Sequence, residues 1–157
     1  RPEVVSLLKQ SGVNRLSVGV QSFDDRLLAE MGRLQPYGSS AFIKARLAET
    51  REVFDTLNAD MMFNLPHQSP NSLENDLRIL NEDLALDQLS FYPLMTTPGT
   101  RENIARDMGP VSQRHERRAY ETILRALSPD YRPTSAWCFS RTSGAIDEYI
   151  IDCDGYC

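Results

Sequence analysis

The sequence predicts an α/β fold built on parallel strands. Two observations carry this. Short apolar strands alternate repeatedly with amphipathic helices over short links, the pattern of right-handed βαβ units. The three clearest strands each have one apolar and one largely polar face, so helices are needed on the apolar side. A barrel or part-barrel and an open doubly wound sheet both fit this alternation. No G-x-G-x-x-G or G-x-x-x-x-G-K-[ST] loop follows a strand, which weakens the nucleotide-binding open sheet.

Pro2 suits a first helical position and Gly12 the residue just past a helix end, with Val4, Val5, Leu7 and Leu8 as the apolar stripe between them. A strand over 15–20 follows. Asp24 caps a helix over Asp25–Met31, closed by Gly32. A loop with Pro36-Tyr37-Gly38 leads to Ser39-Ser40, the cap of a long helix ending near Leu57. The next strand is Ala59–Leu65, stopped by Pro66. Asn71, with Glu74 three residues on, starts a helix to about Leu84. A strand at Gln88–Leu94 ends in the turn Thr96-Thr97-Pro98-Gly99-Thr100, and a helix runs from about Gln113 to Leu127. Thr134–Phe139 and Tyr149–Ile151 read as two last strands.

The 157 residues are enough for one domain of ordinary size. A net charge of −5 argues against a nucleic-acid partner, since phosphates call for a basic surface. Arg114, Arg117, Arg118 and Arg125 lie among acids at helical spacing and read as a solvated helix face. No apolar run approaches the roughly 20 residues of a membrane span, so none is expected. The three cysteines, Cys138, Cys153 and Cys157, are an odd number in a chain with no secretion signal, which implies reduced thiols and a cytoplasmic setting. Cys153 and Cys157 make a C-x3-C pair, half of an iron–sulfur loop at most. The chain opens on Arg1-Pro2 and stops just after a strand-like run, as an interior piece truncated at both ends would.

The chemistry lies on the polar strand faces. By parity these are Ser17, Gly19 and Gln21 on the first strand, Asp60, Met62 and Asn64 on the second, and Gln88, Ser90 and Tyr92 on the third. An ordinary closed barrel fills its interior with branched apolar side chains; here the polar faces are left to point inward. An unpaired Asp60 there would be costly, on the order of 2–7 kcal/mol for a buried polar group. A polar ligand, a basic residue or a wet barrel mouth would each satisfy it. Gln21 ends its strand, where barrel enzymes place working groups, although a loop hydrogen bond would also use it. Arg33 follows the Gly32 helix stop, and its planar fork suits a carboxylate as readily as solvent. His67 reads as a hydrogen-bonding loop residue and His115 as solvated. No nucleophile–His–acid set, H-E-x-x-H or C-x-x-C pair is present.

Gly12-Val13-Asn14-Arg15-Leu16-Ser17-Val18-Gly19-Val20-Gln21-Ser22-Phe23, followed by Gly32-Arg33, resembles the radical S-adenosylmethionine enzymes of the oxygen-independent coproporphyrinogen III oxidase group. Asp60-Met61-Met62-Phe63-Asn64-Leu65-Pro66-His67-Gln68 resembles that group's D-L-x-x-G-L-P-x-Q segment, with Asn64 in place of the glycine. Ser90-Phe91-Tyr92 with Pro98-Gly99-Thr100 resembles its next strand and turn. The resemblance covers about residues 1–127. It implies the C-terminal portion of a (β/α)6 partial TIM barrel, with residues 1–128 in the core barrel and 129–157 opening a family-specific C-terminal region.

The implied cofactors are S-adenosylmethionine and a [4Fe-4S] cluster that cleaves it to a 5′-deoxyadenosyl radical. Gln21, Arg33 and Asp60 match the family positions that contact S-adenosylmethionine. No catalytic residue is assigned. The family's C-x3-C-x2-C cluster motif is not in this chain, so no metal ligand is expected in it, and the chain alone is expected to be inactive. The implied partners are a tetrapyrrole substrate or haem, and a reductant protein for the cluster. Thr134-Ser135-Ala136-Trp137-Cys138-Phe139-Ser140-Arg141, with Asp147-Glu148-Tyr149-Ile150, resembles instead a haem-utilisation branch or an uncharacterised branch of the group. The resemblance thus implies a coproporphyrinogen III oxidase-like radical enzyme acting on a porphyrin or related tetrapyrrole, with a haem chaperone of the same group or a haem-utilisation methyltransferase as the alternatives.

Overall fold

The computed structural model describes residues 2–141. In chain order the elements are α1 (Pro2–Gln10), β1 (Arg15–Gln21), α2 (Asp25–Glu30), α3 (Leu34–Tyr37), α4 (Ser40–Thr50), β2 (Thr56–Phe63), α5 (Pro70–Arg78), β3 (Gln88–Pro93), α6 (Arg101–Asp107), α7 (Gln113–Leu127), β4 (Arg132–Pro133) and β5 (Cys138–Ser140). A π-helical segment, Ile79–Leu84, continues α5. The strands form one sheet in the order β1-β2-β3-β5-β4. β1, β2 and β3 are parallel, with Ser17 opposite Asn58, Gly19 opposite Asp60, and Asp60 opposite Ser90. The fold is thus α/β with a mixed sheet. No helix among the described residues is long and apolar enough to cross a membrane.

The core lies on the apolar side of the sheet, as strand parity requires. Ala59, Met61 and Phe63 of β2 and Leu89 and Phe91 of β3 are fully buried. α5 brings Leu73 and Leu77 onto them, the π segment Leu80 and Leu84, and α7 Ala119, Ile123 and Leu127. The last three recur every four residues, one stripe of a helix whose other face carries exposed Arg117, Arg118 and Arg125. Val20 of β1 is buried, while Leu16 and Val18 pack only partly against the core. β1 is an edge strand in the described sheet.

Several expected boundaries shift. α4 stops at Thr50 rather than near Leu57, because Glu52 takes a left-handed φ of 65° and the chain enters β2 at Thr56. Leu57 is therefore a strand residue, and Asn58 joins the polar face. α5 starts at Pro70, capped by Ser69, whose Oγ accepts from the Ser72 N–H, so no Asn71–Glu74 box forms. Proline suits that first turn because the missing N–H has no helical acceptor. α3 is a short helix where a loop was expected, and α6 a short helix in the stretch between the Thr100 turn and Gln113.

The last described strand also departs from the all-parallel expectation. β4 runs in the direction of β3, but the chain reverses at once, and β5 pairs antiparallel with both β4 and β3. Ser135 drives the reversal. Its Oγ accepts from Trp137 N at 3.4 Å and Cys138 N at 3.1 Å, while Thr134 N donates to Cys138 O at 2.9 Å. Tyr149–Ile151, Cys153 and Cys157 lie outside the described residues.

Candidate functional site

The polar face of the sheet is a hydrogen-bonded layer. Ser17 Oγ donates to Asp60 Oδ2 at 2.7 Å, and Asn58 Nδ2 donates to Ser17 Oγ and to Asp60 Oδ1, each at 2.8 Å. Ser90 Oγ reaches Asn58 Oδ1 at 3.3 Å and Cys138 Sγ at 3.7 Å. Below this row, Arg15 Nε donates to Gln88 Oε1 at 3.0 Å and Gln88 Nε2 donates to Ser140 Oγ at 2.9 Å. Asp60 needs no basic partner, because two neutral donors satisfy it and fix its carboxylate plane. Asn58, Gln88 and Ser90 are wholly buried, while Asp60 keeps partial exposure. Such a network is stable only when each member is satisfied.

The C-terminal end of β1 carries the other two expected residues. The β1–β2 register slips between Gly19 and Gln21, and Gln21 has a left-handed φ of 75°. Arg33 returns from the end of α2 to donate from Nη2 to Gly19 O at 2.8 Å, its guanidinium 4.5 Å from the Tyr37 ring centroid. Gly19 is the hinge of the group. A Cβ there would stand 3.0 Å from Gln21 Nε2 and 3.6 Å from Arg33 Nη2. Gln21 and Arg33 thus meet over a residue with no side chain, and Asp60 sits opposite that residue on β2. Paired residues of parallel strands project to the same face, so the three share one wall at the C-terminal ends of the strands.

A buried carboxylate holds the turn after Gln21. Asp76 of α5 is fully buried. Its Oδ1 accepts from Phe23 N at 2.7 Å and its Oδ2 from Ser22 Oγ at 2.9 Å. Loss of solvent pushes its pKa from 3.8 up to about 7; the bonds from Phe23 and Ser22 oppose the rise and the nearby Asp24 charge adds to it. Ser22 Oγ in turn accepts from Asp24 N at 3.1 Å, and Asp24 caps α2 through the N–H groups of Arg26 and Leu27. Ser72 Oγ donates to the other Asp24 oxygen at 3.0 Å.

The loop after β2 closes against the same helix. His67 Nδ1 lies 3.0 Å from Glu30 Oε2, and Arg26 Nη2 donates to His67 O at 2.6 Å. His67 is therefore the hydrogen-bonding loop residue its position implied. Asn64, which stands where the resembled motif has glycine, takes a left-handed φ of 62°, and its Nδ2 donates to Glu116 Oε2 at 3.2 Å. Beside Glu116 is a cavity of about 620 Å³ with mostly apolar walls, including Leu94, Met95 and Ile104, and with Arg101 and Gln113 as polar members.

Asn58 and Asp76 do not stand out as site residues in the sequence. Asn58 falls one residue before the expected strand start. Asp76 has a visible sign: it sits on the stripe Leu73, Leu77, Leu80 at helical spacing, an acid where an apolar residue belongs.

These residues fit S-adenosylmethionine. Arg33 and Gln21 carry donors that would suit a carboxylate, Asp60 an acceptor that would suit an ammonium or hydroxyl, and the bare Cα of Gly19 lets the ends of Gln21 and Arg33 lie across it. They do not fit a metal cluster. Among the described residues no group of three His, Cys, Asp or Glu side chains could hold a metal ion, and Cys138 is buried against Ser90.

No family model matches the chain. It is 38% identical over 101 residues to the heme chaperone HemW of Bacillus subtilis, covering 62% of this chain and 25% of that protein. It is 36% identical over 91 residues to the oxygen-independent coproporphyrinogen III oxidase of Escherichia coli, covering 57% of this chain and 19% of that protein. The chain spans about a quarter or less of the length of these curated relatives. Among solved structures it matches coproporphyrinogen III oxidase (HemN) from Escherichia coli, a radical SAM enzyme, with a TM-score of 0.77 and 26% identity over 90% of this chain and 32% of that one. By sequence and by fold, the chain is similar to the HemN and HemW proteins, among them the radical SAM coproporphyrinogen III oxidase of Escherichia coli.

Proposed function

We propose that the chain supplies the S-adenosylmethionine-holding wall of a radical enzyme acting on a porphyrin or related tetrapyrrole. The observation that carries this is the meeting of Gln21 and Arg33 over Gly19, beside Asp60, at the C-terminal ends of parallel strands. Bound there, S-adenosylmethionine supplies the radical chemistry of the family. The chain's own residues bind and orient it. Arg33 and Gln21 take its carboxylate end. Asp60, held rigid by Ser17 and Asn58, accepts from its N–H or O–H groups. A preset carboxylate loses little freedom on binding, which favours affinity.

The cluster, its reductant protein and the tetrapyrrole belong to the same proposal. So does the division of the chain into a core over 1–128 and the start of a C-terminal region over 129–157. The cavity beside Glu116 is where apolar substrate bulk would rest, with Arg101 in place for a carboxylate. The test is anaerobic reconstitution of the full-length protein with cluster and reductant. Release of 5′-deoxyadenosine, lost in Arg33→Ala, is the expected result; a well-formed cluster that yields none refutes the enzyme.

The likeness to proteins named heme chaperone HemW, at 38% and 36% identity, favours a second reading in which the protein binds haem and does not convert coproporphyrinogen. A haem titration separates the two. Tight binding without conversion of coproporphyrinogen supports the chaperone, and no binding excludes it.

A further inference from the structure

We propose that Asp76 is a positioning residue of the cofactor wall: from α5 it fixes the turn that aims Gln21 and the short helix that delivers Arg33. The inference rests on the S-adenosylmethionine reading above and assigns a role to a residue outside that wall.

Three observations converge on it. Gln21 is a non-glycine residue at φ 75°, a conformation that persists only where its surroundings impose it. The two residues after it are gripped by a single carboxylate, through Ser22 Oγ and Phe23 N. That carboxylate is fully buried on a helix more than 50 residues further along the chain. Burying an acid is unfavourable, and an apolar residue on this stripe would pack against Leu73 and Leu77 without that penalty. Asp76 meets the two donors with separate oxygens, Phe23 N with Oδ1 and Ser22 Oγ with Oδ2.

The grip extends to Arg33. Ser22 Oγ, oriented by its bond to Asp76, accepts from Asp24 N, and Asp24 caps α2. α2 has six residues, so the direction of its first turn sets where its end falls. Gly32, at φ 67°, then turns the chain, and Arg33 reaches back to Gly19 O. One carboxylate therefore governs the residues on both sides of α2. Ser72, one helical turn before Asp76, holds the second oxygen of Asp24 and keeps α2 and α5 in register.

The experiment uses the anaerobically reconstituted full-length protein with Asp76→Asn, Ser22→Ala, Gln21→Ala and Arg33→Ala. Three quantities are read. The first is equilibrium binding of S-adenosylmethionine. The second is the rate at which 5′-deoxyadenosine is released across a range of cofactor concentrations, which separates KM from kcat. The third is amide exchange without the cofactor. In Asp76→Asn the dissociation constant and KM should rise about tenfold with kcat changed by less than about twofold, the signature of a misplaced binding group. Exchange at Phe23 N–H should accelerate about tenfold while the core amide of Phe91 is unchanged, which separates a local loosening from global unfolding. Ser22→Ala should show the same pattern at smaller size, and it decides the matter by itself if Asp76→Asn does not fold. If Gln21→Ala and Arg33→Ala weaken binding but Asp76→Asn and Ser22→Ala do not, the role of Asp76 is refuted and the cofactor site stands. If Gln21→Ala and Arg33→Ala leave binding unchanged, the cofactor reading falls and this inference with it.

Discussion

At the scale of single residues, two positions are informative: Asn64 in the turn after β2 and Gly19 in the wall itself. Asn64 adopts φ 62°, and asparagine tolerates the left-handed region because its short amide bonds locally. Valine there would meet the steric penalty of about 1–2 kcal/mol per left-handed residue. It would also lose the hydrogen bond to Glu116, worth about 1 kcal/mol. Asn64→Val should therefore lower urea stability by about 2–3 kcal/mol, and Asn64→Gly, which loses only the hydrogen bond, by about 1 kcal/mol. Gly19 is different, since what it supplies is space. In Gly19→Ala the new methyl must displace the flexible end of Gln21 and would lie in ordinary contact with Arg33, so stability should change by less than about 1 kcal/mol. S-adenosylmethionine binding by the full-length protein, measured by equilibrium dialysis, should weaken about tenfold or more. Parity made Ser17 and Asp60 legible in the sequence, because a strand has only two faces, whereas Gln21 reaches their wall through the register slip after Gly19. Asn58 was lost to a boundary placed too late, and boundaries are where local preference is weakest.

At the scale of elements, the β4–β5 hairpin is the part that local pattern misplaced. Nothing in Thr134–Phe139 distinguishes a strand parallel to β3 from one that turns back, since both alternate alike. The choice is made by Ser135 and by packing. Phe139 is 1% exposed and meets Phe91 edge-on, with ring centroids 6.4 Å apart. Trp137 stands 6.1 Å from Phe63 and 5.5 Å from Tyr120, whose hydroxyl donates to Ala136 O at 2.7 Å. These contacts join β2, α7 and the hairpin. Phe139→Ala should cost about 3–5 kcal/mol, read as a lower urea midpoint. The loss should exceed that of any exposed substitution on α7, such as Arg117→Ala, which should stay within about 0.5 kcal/mol.

At the scale of the whole molecule, Asp76 couples stability to pH. Its carboxyl stays neutral in the fold up to about 7, against 3.8 for the ordinary group. Between those values the folded state holds a proton that the unfolded chain has released. The stabilisation is complete below the unfolded value and is lost as pH rises through about 7. Between pH 5 and pH 8 this group alone should remove about 2–3 kcal/mol of folding stability. Urea denaturation at both pH values should show that fall in the wild type, and Asp76→Asn should lack that component. A wild type and variant with equal pH dependence would contradict the burial of an ionisable group there.

Local pattern alone sets the layering. Strand parity and helical stripes decide which side of each element avoids water, so the apolar core, the polar sheet face and the positions of Gln21, Arg33 and Asp60 along the chain follow from local pattern. Which of these residues meet is set by long-range packing. The meeting of Gln21 and Arg33 over Gly19 depends on a register slip and a left-handed residue. The satisfaction of Asp60 depends on donors more than 40 residues away and two residues away, Ser17 and Asn58. The grip of Asp76 on Ser22 and Phe23 spans more than 50 residues. Hydrogen bonds over such separations leave no periodicity in the chain, because their geometry exists only once the helices have packed on the sheet.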